Sequence, residues 1–332
     1  MTAFRLRTRE AAEVIEREIL APAATRSSDT RGRAVPEKPD PWRTVFERDR
    51  DRILHSKAFR RLKHKTQVFM NPEGDHFVTR MTHTLQVAQI GGSIARALSL
   101  NVALAEAVCL GHDVGHSPFG HTGEDALSEF VDGEWRHSDQ SVRIFEILEP
   151  LNLTREVLDG IKTHPWKIDQ RATTHEGNIV RFSDRIAYLA HDALDALRAG
   201  ILDPTEFPDD AIRAFGEPGP EWIGTMVESV INESYRQNEI AMEPTMLEAM
   251  HTLRDFMFAA VYLRRSAETQ RRRAQQIVRD LVTYYLEHPD AVPESYRHDE
   301  ADDLTQVIDY VAGMTDRYAI RTHDDLFRPR LF

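Results

Sequence analysis

The chain has a single cysteine, Cys109, among 332 residues, so it can close no intrachain disulfide. A lone thiol inside an apolar run reads as a small core residue, and the scarcity of cysteine points to a reducing, cytoplasmic setting. No segment approaches the roughly 20 consecutive apolar residues of a membrane span. The opening stretch, MTAFRLRTREAAEVIEREIL, carries charges throughout and lacks the apolar core of a secretory leader. No membrane partner is expected. Basic residues are also in deficit, 42 against 54 acidic ones, for a formal charge of -12. Broad nucleic-acid binding needs basic surface, so nucleic acid is not expected as the main partner, although a local basic pocket stays open. The G-x-x-x-x-G-K-[ST] phosphate loop is missing, as are internal repeats, low-complexity tracts and any parallel-sheet alternation.

What is present has helical period. Apolar positions at helical spacing predict helices near 8–20, 44–63, 79–98, 102–110, 138–149, 154–163, 175–200, 221–237, 243–268, 270–287 and 301–317. Breaks fall at Pro150, at Pro165, and around 200–208, 216–220 and 288–293. The expected fold class is all-α, with at most a short β-hairpin near residues 66–78 around the turn Asn71-Pro72-Glu73-Gly74. Residues 1–43 read as an N-terminal helix and extended arm, 44–200 as a catalytic core, and 201–332 as a C-terminal helical region packed on that core with no linker between them. Gly91-Gly92, in a helix apolar on two sides, predicts the close approach of a neighbouring helix.

The chemistry concentrates in one stretch. Residues 102–110 are almost wholly apolar and deliver His112-Asp113, His116, His121 and Glu124, punctuated by glycines and Pro118. An imidazole and a carboxylate at the end of a buried helix need pairing or a metal. His83 lies on the apolar stripe of the preceding helix, and Asp184 on a largely apolar later one, where Tyr188 and Asp192 share its face. His83, His112, Asp113 and Asp184 therefore form a candidate ligand set of two imidazoles and two carboxylates. That mixed set suits one divalent ion, Mn²⁺, Mg²⁺, Fe²⁺, Zn²⁺, Co²⁺ or Ni²⁺, rather than a thiolate-preferring one. His121 with Glu124 three residues on makes a carboxylate-oriented acid. His116 and His137 lie within reach of a substrate, and His164 in KTHPWK is balanced between a site and a core role. Arg80, one turn before His83, would face an anion at the metal. Arg60, Arg61, Lys63 and Lys65 form a local basic cluster, whereas the run 271–273 reads as a solvated face or a subunit contact.

The order His83, His112-Asp113, Asp184 resembles the HD superfamily of metal-dependent phosphohydrolases. Several blocks carry a narrower resemblance: RDRDRILHSKAFRRLKHKTQVF, EGDHFVTRMTHTLQVAQI, LGHDVGHSPFGHTGEDAL, SDRIAYLAHDALDALRAGIL and GMTDRYAI, with a match in the arm before them. In this order they look like bacterial deoxyguanosinetriphosphate triphosphohydrolase-like proteins, from about residue 20 to the C-terminus. The resemblance implies an all-α HD fold and hydrolysis of dNTPs, dGTP among them, to a deoxynucleoside and inorganic triphosphate. It implies His83, His112, Asp113 and Asp184 as metal ligands, His121 and Glu124 as the catalytic histidine and acid, and His116 and His137 as further active-site histidines. It further implies that Arg80, Tyr188 and Asp192 hold triphosphate and sugar, and that Gln67 reads the 3′-hydroxyl. The vertebrate sterile-alpha-motif/HD triphosphohydrolase is a more distant relative, and Arg185 keeps the charge of the lysine it has after the last ligand; Arg61, in the local basic cluster, is a phosphate-pocket candidate. A homo-oligomer, hexamer or tetramer, and a dNTP activator at a second site follow from the family, not from the residues. Two alternatives stay open: another HD phosphohydrolase, acting as nucleotidase or phosphodiesterase, and a nucleotide-binding regulator with little turnover.

Overall fold

Several of the helices begin where the sequence supplies a capping side chain, as Thr8, Thr44, Thr79, Asn101 and Thr174 do. The computed structural model describes residues 4–67, 78–262, 264–298 and 300–329. Among these are fifteen α-helices and no β-sheet, as the all-α expectation requires. They are α1 (Arg9–Ile19), α2 (Val45–His55), α3 (Lys57–Arg61), α4 (Arg80–Ala97), α5 (Val102–Gly111), α6 (His121–Ser128), α7 (His137–Arg143), α8 (Arg155–Thr163), α9 (His175–Arg198), α10 (Asp209–Phe215), α11 (Glu221–Gln237), α12 (Pro244–Met257), α13 (Arg265–Glu287), α14 (Asp303–Ala312) and α15 (Asp316–Phe327). The anticipated hairpin near 66–78 lies almost wholly outside the described residues. At its base an isolated antiparallel bridge joins Thr66 and Thr79. No described helix is long and apolar enough to cross a membrane.

Helix α5 is the axis of the fold. The Asn101 side chain caps it by accepting from the Leu104 N–H at 3.2 Å, and its apolar residues are buried against α2, α4, α8 and α9. The close approach predicted at Gly91 is present: a Cβ there would stand 2.6 Å from Cys109 Sγ on α5. The extended arm is tied down by side chains. Thr25 Oγ1 donates to Glu176 at 3.0 Å, and the Arg33 guanidinium pairs with fully buried Asp49.

Local chemistry overrides helical period at several places. The predicted helix 44–63 is two helices, because Ser56 adopts extended backbone and accepts from the Phe59 N–H at 3.0 Å, starting α3. The predicted helix 301–317 ends at Ala312, and Thr315 caps a further helix, α15, by accepting from Tyr318 N. The break expected near 269 falls earlier, since α12 passes into a π-helical turn, Phe258–Tyr262, and α13 opens at Arg265. Helices α6 and α10 have no counterpart in the periodicity. Both are short, eight and seven residues.

The buried apolar residues form two clusters. The larger runs from Ala24 to Val261 and surrounds α4, α5 and α9. The smaller consists of α13–α15 together with Phe119, Ala126, Leu127 and Trp135 from the region around α6. The site lies where the two meet.

Candidate metal centre and active site

Three helices and a turn bring the ligand candidates together. His83 comes from α4, His112 from the end of α5, Asp113 from the turn after it, and Asp184 from α9. His83 Nε2 is 3.0 Å from Asp184 Oδ1, and donor atoms of His83, His112 and Asp184 all lie within 4.8 Å of one another. His112 Nε2 is 3.3 Å from Asp113 Oδ1 and 3.8 Å from Asp184 Oδ1.

Whether these residues fit a metal is decided by His112. Its imidazole is fully buried, and Nδ1 donates to the Cys109 carbonyl at 2.6 Å. Nε2, with no hydrogen-bond partner among the described residues, therefore points a lone pair at two carboxylates. Such an arrangement asks for a cation, and a backbone-anchored Nδ1 is how ligating imidazoles are usually oriented. Without an ion, burial lowers the His112 pKa, but Asp113 and Asp184 outweigh it and push it up to about 9. Burial raises the Asp113 and Asp184 carboxyls, yet neighbouring histidines, and Arg80 for Asp113, hold both well below the usual range. The donor set fits a divalent ion.

A second set adjoins the first through Asp113. Asp113 Oδ1 is 3.2 Å from His116 Nε2. Glu124, on α6, gathers three imidazoles: His116 Nδ1 at 2.5 Å, His137 Nδ1 at 3.0 Å and His121 Nδ1 at 3.5 Å. The sequence pairs Glu124 with His121 alone; the structure adds two closer histidines. The His116 and His137 rings stack with centroids 3.8 Å apart. Burial, then Arg80 and His137, push the His116 pKa down to about 4. His121 differs from the rest, its side chain 75% exposed. Crowding lowers its pKa even so, but Glu124 overcomes this and the net shift is upward. His121 is thus the open imidazole of the group, able to arrive protonated at a substrate.

The turn that holds these groups needs glycine. Gly120 has φ +59° and ψ -134°, closed to L side chains, and a Cβ there would stand 2.8 Å from Arg80 Nη2. At Gly115 a Cβ would lie 2.3 Å from the His137 carbonyl and the Ser141 amide, so the turn rests directly on α7.

The remaining sequence candidates divide. Arg80 is buried beside the metal candidates, donating to Asp113 Oδ2 at 2.7 Å and to the Thr66 carbonyl at 3.2 Å. Tyr188 is half-buried on the Asp184 face, and burial pushes its hydroxyl up to about 12. Asp192 is buried, accepts from Tyr262 Oη at 2.6 Å, and is pushed by desolvation up to about 8. Arg185 stacks its guanidinium 3.9 Å over Trp166. Gln67 Oε1 and Arg61 Nε are buried with no hydrogen-bond partner among the described residues. Lys65, of the local basic cluster, is buried, and its ammonium donates to the His116 and Ala312 carbonyls.

Three further residues come to the site: His164, balanced by the sequence between a site and a core role, and Tyr262 and Asp316, which residue patterns did not place there. His164 Nε2 lies 3.1 Å from His137 Nε2, and its ring is 5.0 Å from that of His112. Tyr262 meets Asp192. Asp316 accepts from the Phe119 amide at 2.9 Å, inside the histidine turn. The KTHPWK and GMTDRYAI blocks were the available signals for His164 and Asp316; Tyr262 had none.

Residues 80–189 match the HD domain family, which contains all four ligand candidates, and residues 240–325 match the phosphohydrolase-associated domain. A deoxyguanosinetriphosphate triphosphohydrolase-like protein from Caldanaerobacter subterraneus subsp. tengcongensis is 46% identical over 335 residues, covering 98% of this chain and 97% of the relative. A protein of the same description from Clostridium tetani is 40% identical, covering 100% of this chain and 99% of the relative. Among solved structures, a phosphohydrolase from Bacteroides thetaiotaomicron superposes with a TM-score of 0.54 at 18% identity, over 84% of this chain and 69% of that one. At that identity the superposition speaks for the fold alone.

Proposed function

The chain belongs to the deoxyguanosinetriphosphate triphosphohydrolase-like family of HD-domain proteins, and on that premise we propose that it hydrolyses dNTPs, dGTP among them, to a deoxynucleoside and inorganic triphosphate. The observation that carries this is the adjacency, across the single carboxylate Asp113, of a cation-seeking His83–His112–Asp184 set and a Glu124-centred histidine set. Phosphoester cleavage needs both: charge stabilisation at phosphorus and a proton for the departing oxygen.

In this proposal a divalent ion held by His83, His112, Asp113 and Asp184 would supply Lewis-acid polarisation of a phosphoryl oxygen and a more acidic water. The protein's own groups do the rest. Arg80 fixes Asp113 and brings a buried positive charge to the phosphate side. His121, protonated beside Glu124 and open to solvent, donates to the leaving 5′-oxygen. His116, held neutral, and His137 line the phosphates. Asp192, pushed up to about 8, is a neutral acid near pH 7 and suits a sugar hydroxyl better than a phosphate. Tyr188, on the same face of α9, stands where a ribose 2′-hydroxyl would crowd it, and Gln67 offers Oε1, which has no partner among the described residues, to the 3′-hydroxyl. The same proposal carries a tetramer or hexamer with a dNTP activator at a second site, both read by sedimentation velocity with and without dNTP.

The test is product analysis. Each of the four dNTPs is incubated with Mn²⁺, singly and in pairs to allow activation, and the products are resolved by anion exchange. Deoxynucleoside and intact triphosphate are expected. Release of orthophosphate or pyrophosphate would replace this reaction with another phosphohydrolase activity, and no turnover of any dNTP would favour a regulator.

A further inference from the structure

The GMTDRYAI block is not used by the chemistry above, yet its aspartate is buried at the join between the two apolar clusters. Asp316, the first residue of α15, is 4% exposed and divides its carboxylate between two segments. Oδ1 accepts from the Phe119 amide at 2.9 Å. Oδ2 accepts from the Thr66 amide at 2.8 Å and also from Thr66 Oγ1.

Each arm leads to a different half of the site. Phe119 sits in the histidine turn, between His116 and His121, with φ +66°, a left-handed conformation that an L residue keeps only when its surroundings impose it. Thr66 passes the other arm on: its carbonyl accepts from Arg80 Nε at 3.2 Å, and Arg80 donates to Asp113 at 2.7 Å. A parallel tie runs through Lys65, whose ammonium joins the His116 carbonyl to that of Ala312, at the end of α14.

The core packing shows why such a tie matters. His83, His112 and Asp184 sit on helices of the larger cluster. Glu124 and His121 ride on α6, whose Ala126 and Leu127, with Phe119 just before it, belong to the smaller cluster and pack against α13. The two halves of the site are therefore built on different cores, and their relative position depends on polar links between them. We propose that Asp316 is a positioning residue that registers the Glu124–His121 half of the site against the Arg80–Asp113 half. It touches no reacting atom; it acts through Phe119 and Thr66.

The kinetic arm of the test rests on the proposed function, whereas the exchange arm does not. Asp316→Asn puts an NH₂ group against at least one of the amides it now accepts from, and Asp316→Ala removes both arms. Asp302→Ala is the control: Asp302 caps α14 by accepting from Thr305 N at 2.8 Å and loosens the same C-terminal helices without touching the clamp. A displacement of catalytic groups by an ångström or less costs on the order of 10–100-fold in rate, so kcat of Asp316→Asn is expected to fall by about that factor while Mn²⁺ affinity is unchanged. Asp302→Ala is expected to lower Tm without lowering kcat. Thr66→Ser, which keeps the hydroxyl donor, retains the rate, and Thr66→Val loses part of it. Hydrogen exchange is expected to show lost protection in peptides covering 116–122 and none in those covering 102–110. If Asp316→Ala fails to fold, Asp316→Asn and Thr66→Val decide. Wild-type protection at 116–122 in Asp316→Asn overturns the proposal, as does a loss of kcat and Mn²⁺ affinity together. Should the wild type turn over no dNTP, the exchange result stands alone.

Discussion

Nε2 of His137 and Nε2 of His164 face each other at 3.1 Å inside the protein. Nδ1 of His164 donates to the Ile161 carbonyl at 2.8 Å, and burial, followed by His112 and His137, pushes its pKa down to about 3. The neutral His164 therefore accepts at Nε2, and His137 donates. Glu124 Oε1 lies 3.0 Å from its other nitrogen, Nδ1, so His137 sits between a carboxylate and His164. His164→Ala removes the acceptor and is expected to lower kcat on the order of tenfold with little change in KM. His164→Gln, which restores an acceptor, is expected to recover part of the loss. Steady-state kinetics of the two variants reads both.

His121 donates the proton in this scheme, and Glu124 keeps it protonated. His121→Ala is expected to lose about 10²–10⁴ in kcat with no loss of Tm, because the side chain is 75% exposed. Glu124→Gln removes the carboxylate that raises the His121 pKa. An acid must be protonated to act, so the basic limb of the kcat–pH profile moves to lower pH in Glu124→Gln. A limb that stays in place would assign the proton donor elsewhere.

These groups differ in how far the sequence discloses them. His112-Asp113 is legible because one buried helix presents both, and His83 and Asp184 because each interrupts an apolar stripe. The His121–Glu124 pair is local, three residues apart. Asp316 is not local: its partner Thr66 is 250 residues away. No period relates the two, and only the folded chain brings them together. Similarly, the ends of α2 and α14 were hidden because Ser56 and Thr315 cap new helices within stretches that keep helical period. Side-chain hydrogen bonds to the backbone decided those boundaries, and hydrophobic patterning does not register them.

Removal of the ion tests the ligand set. Chelation is expected to abolish turnover and lower Tm, since an ion bound only by the folded state stabilises it by about 2.7 kcal/mol at a hundredfold excess over Kd. Mn²⁺ is expected to restore both. Elemental analysis of Asp184→Asn and His83→Ala is expected to show loss of the ion, and its full retention in either would remove that residue from the set.

Asp192 sets a pH dependence of stability. Desolvation pushes its folded pKa from 3.8 up to about 8, with Asp195 and Asp184 adding to the rise and Tyr262 opposing it. Between these values the unfolded chain binds fewer protons than the folded one, so this group's contribution is full below about pH 4 and is lost as pH rises through about 8. Asp192→Asn cannot titrate. Its Tm is expected to fall less than that of the wild type between pH 5 and pH 9. Parallel Tm curves would show that Asp192 is ionised in the folded protein.

The position of bond cleavage is the most direct measure of the proposed reaction. Hydrolysis of dGTP with Mn²⁺ in ¹⁸O-labelled water, followed by mass spectrometry of the products, locates the oxygen that water supplies. One ¹⁸O in inorganic triphosphate, with an unlabelled deoxynucleoside, is the expected result. Label in orthophosphate or pyrophosphate, with a deoxynucleotide as the other product, would contradict it.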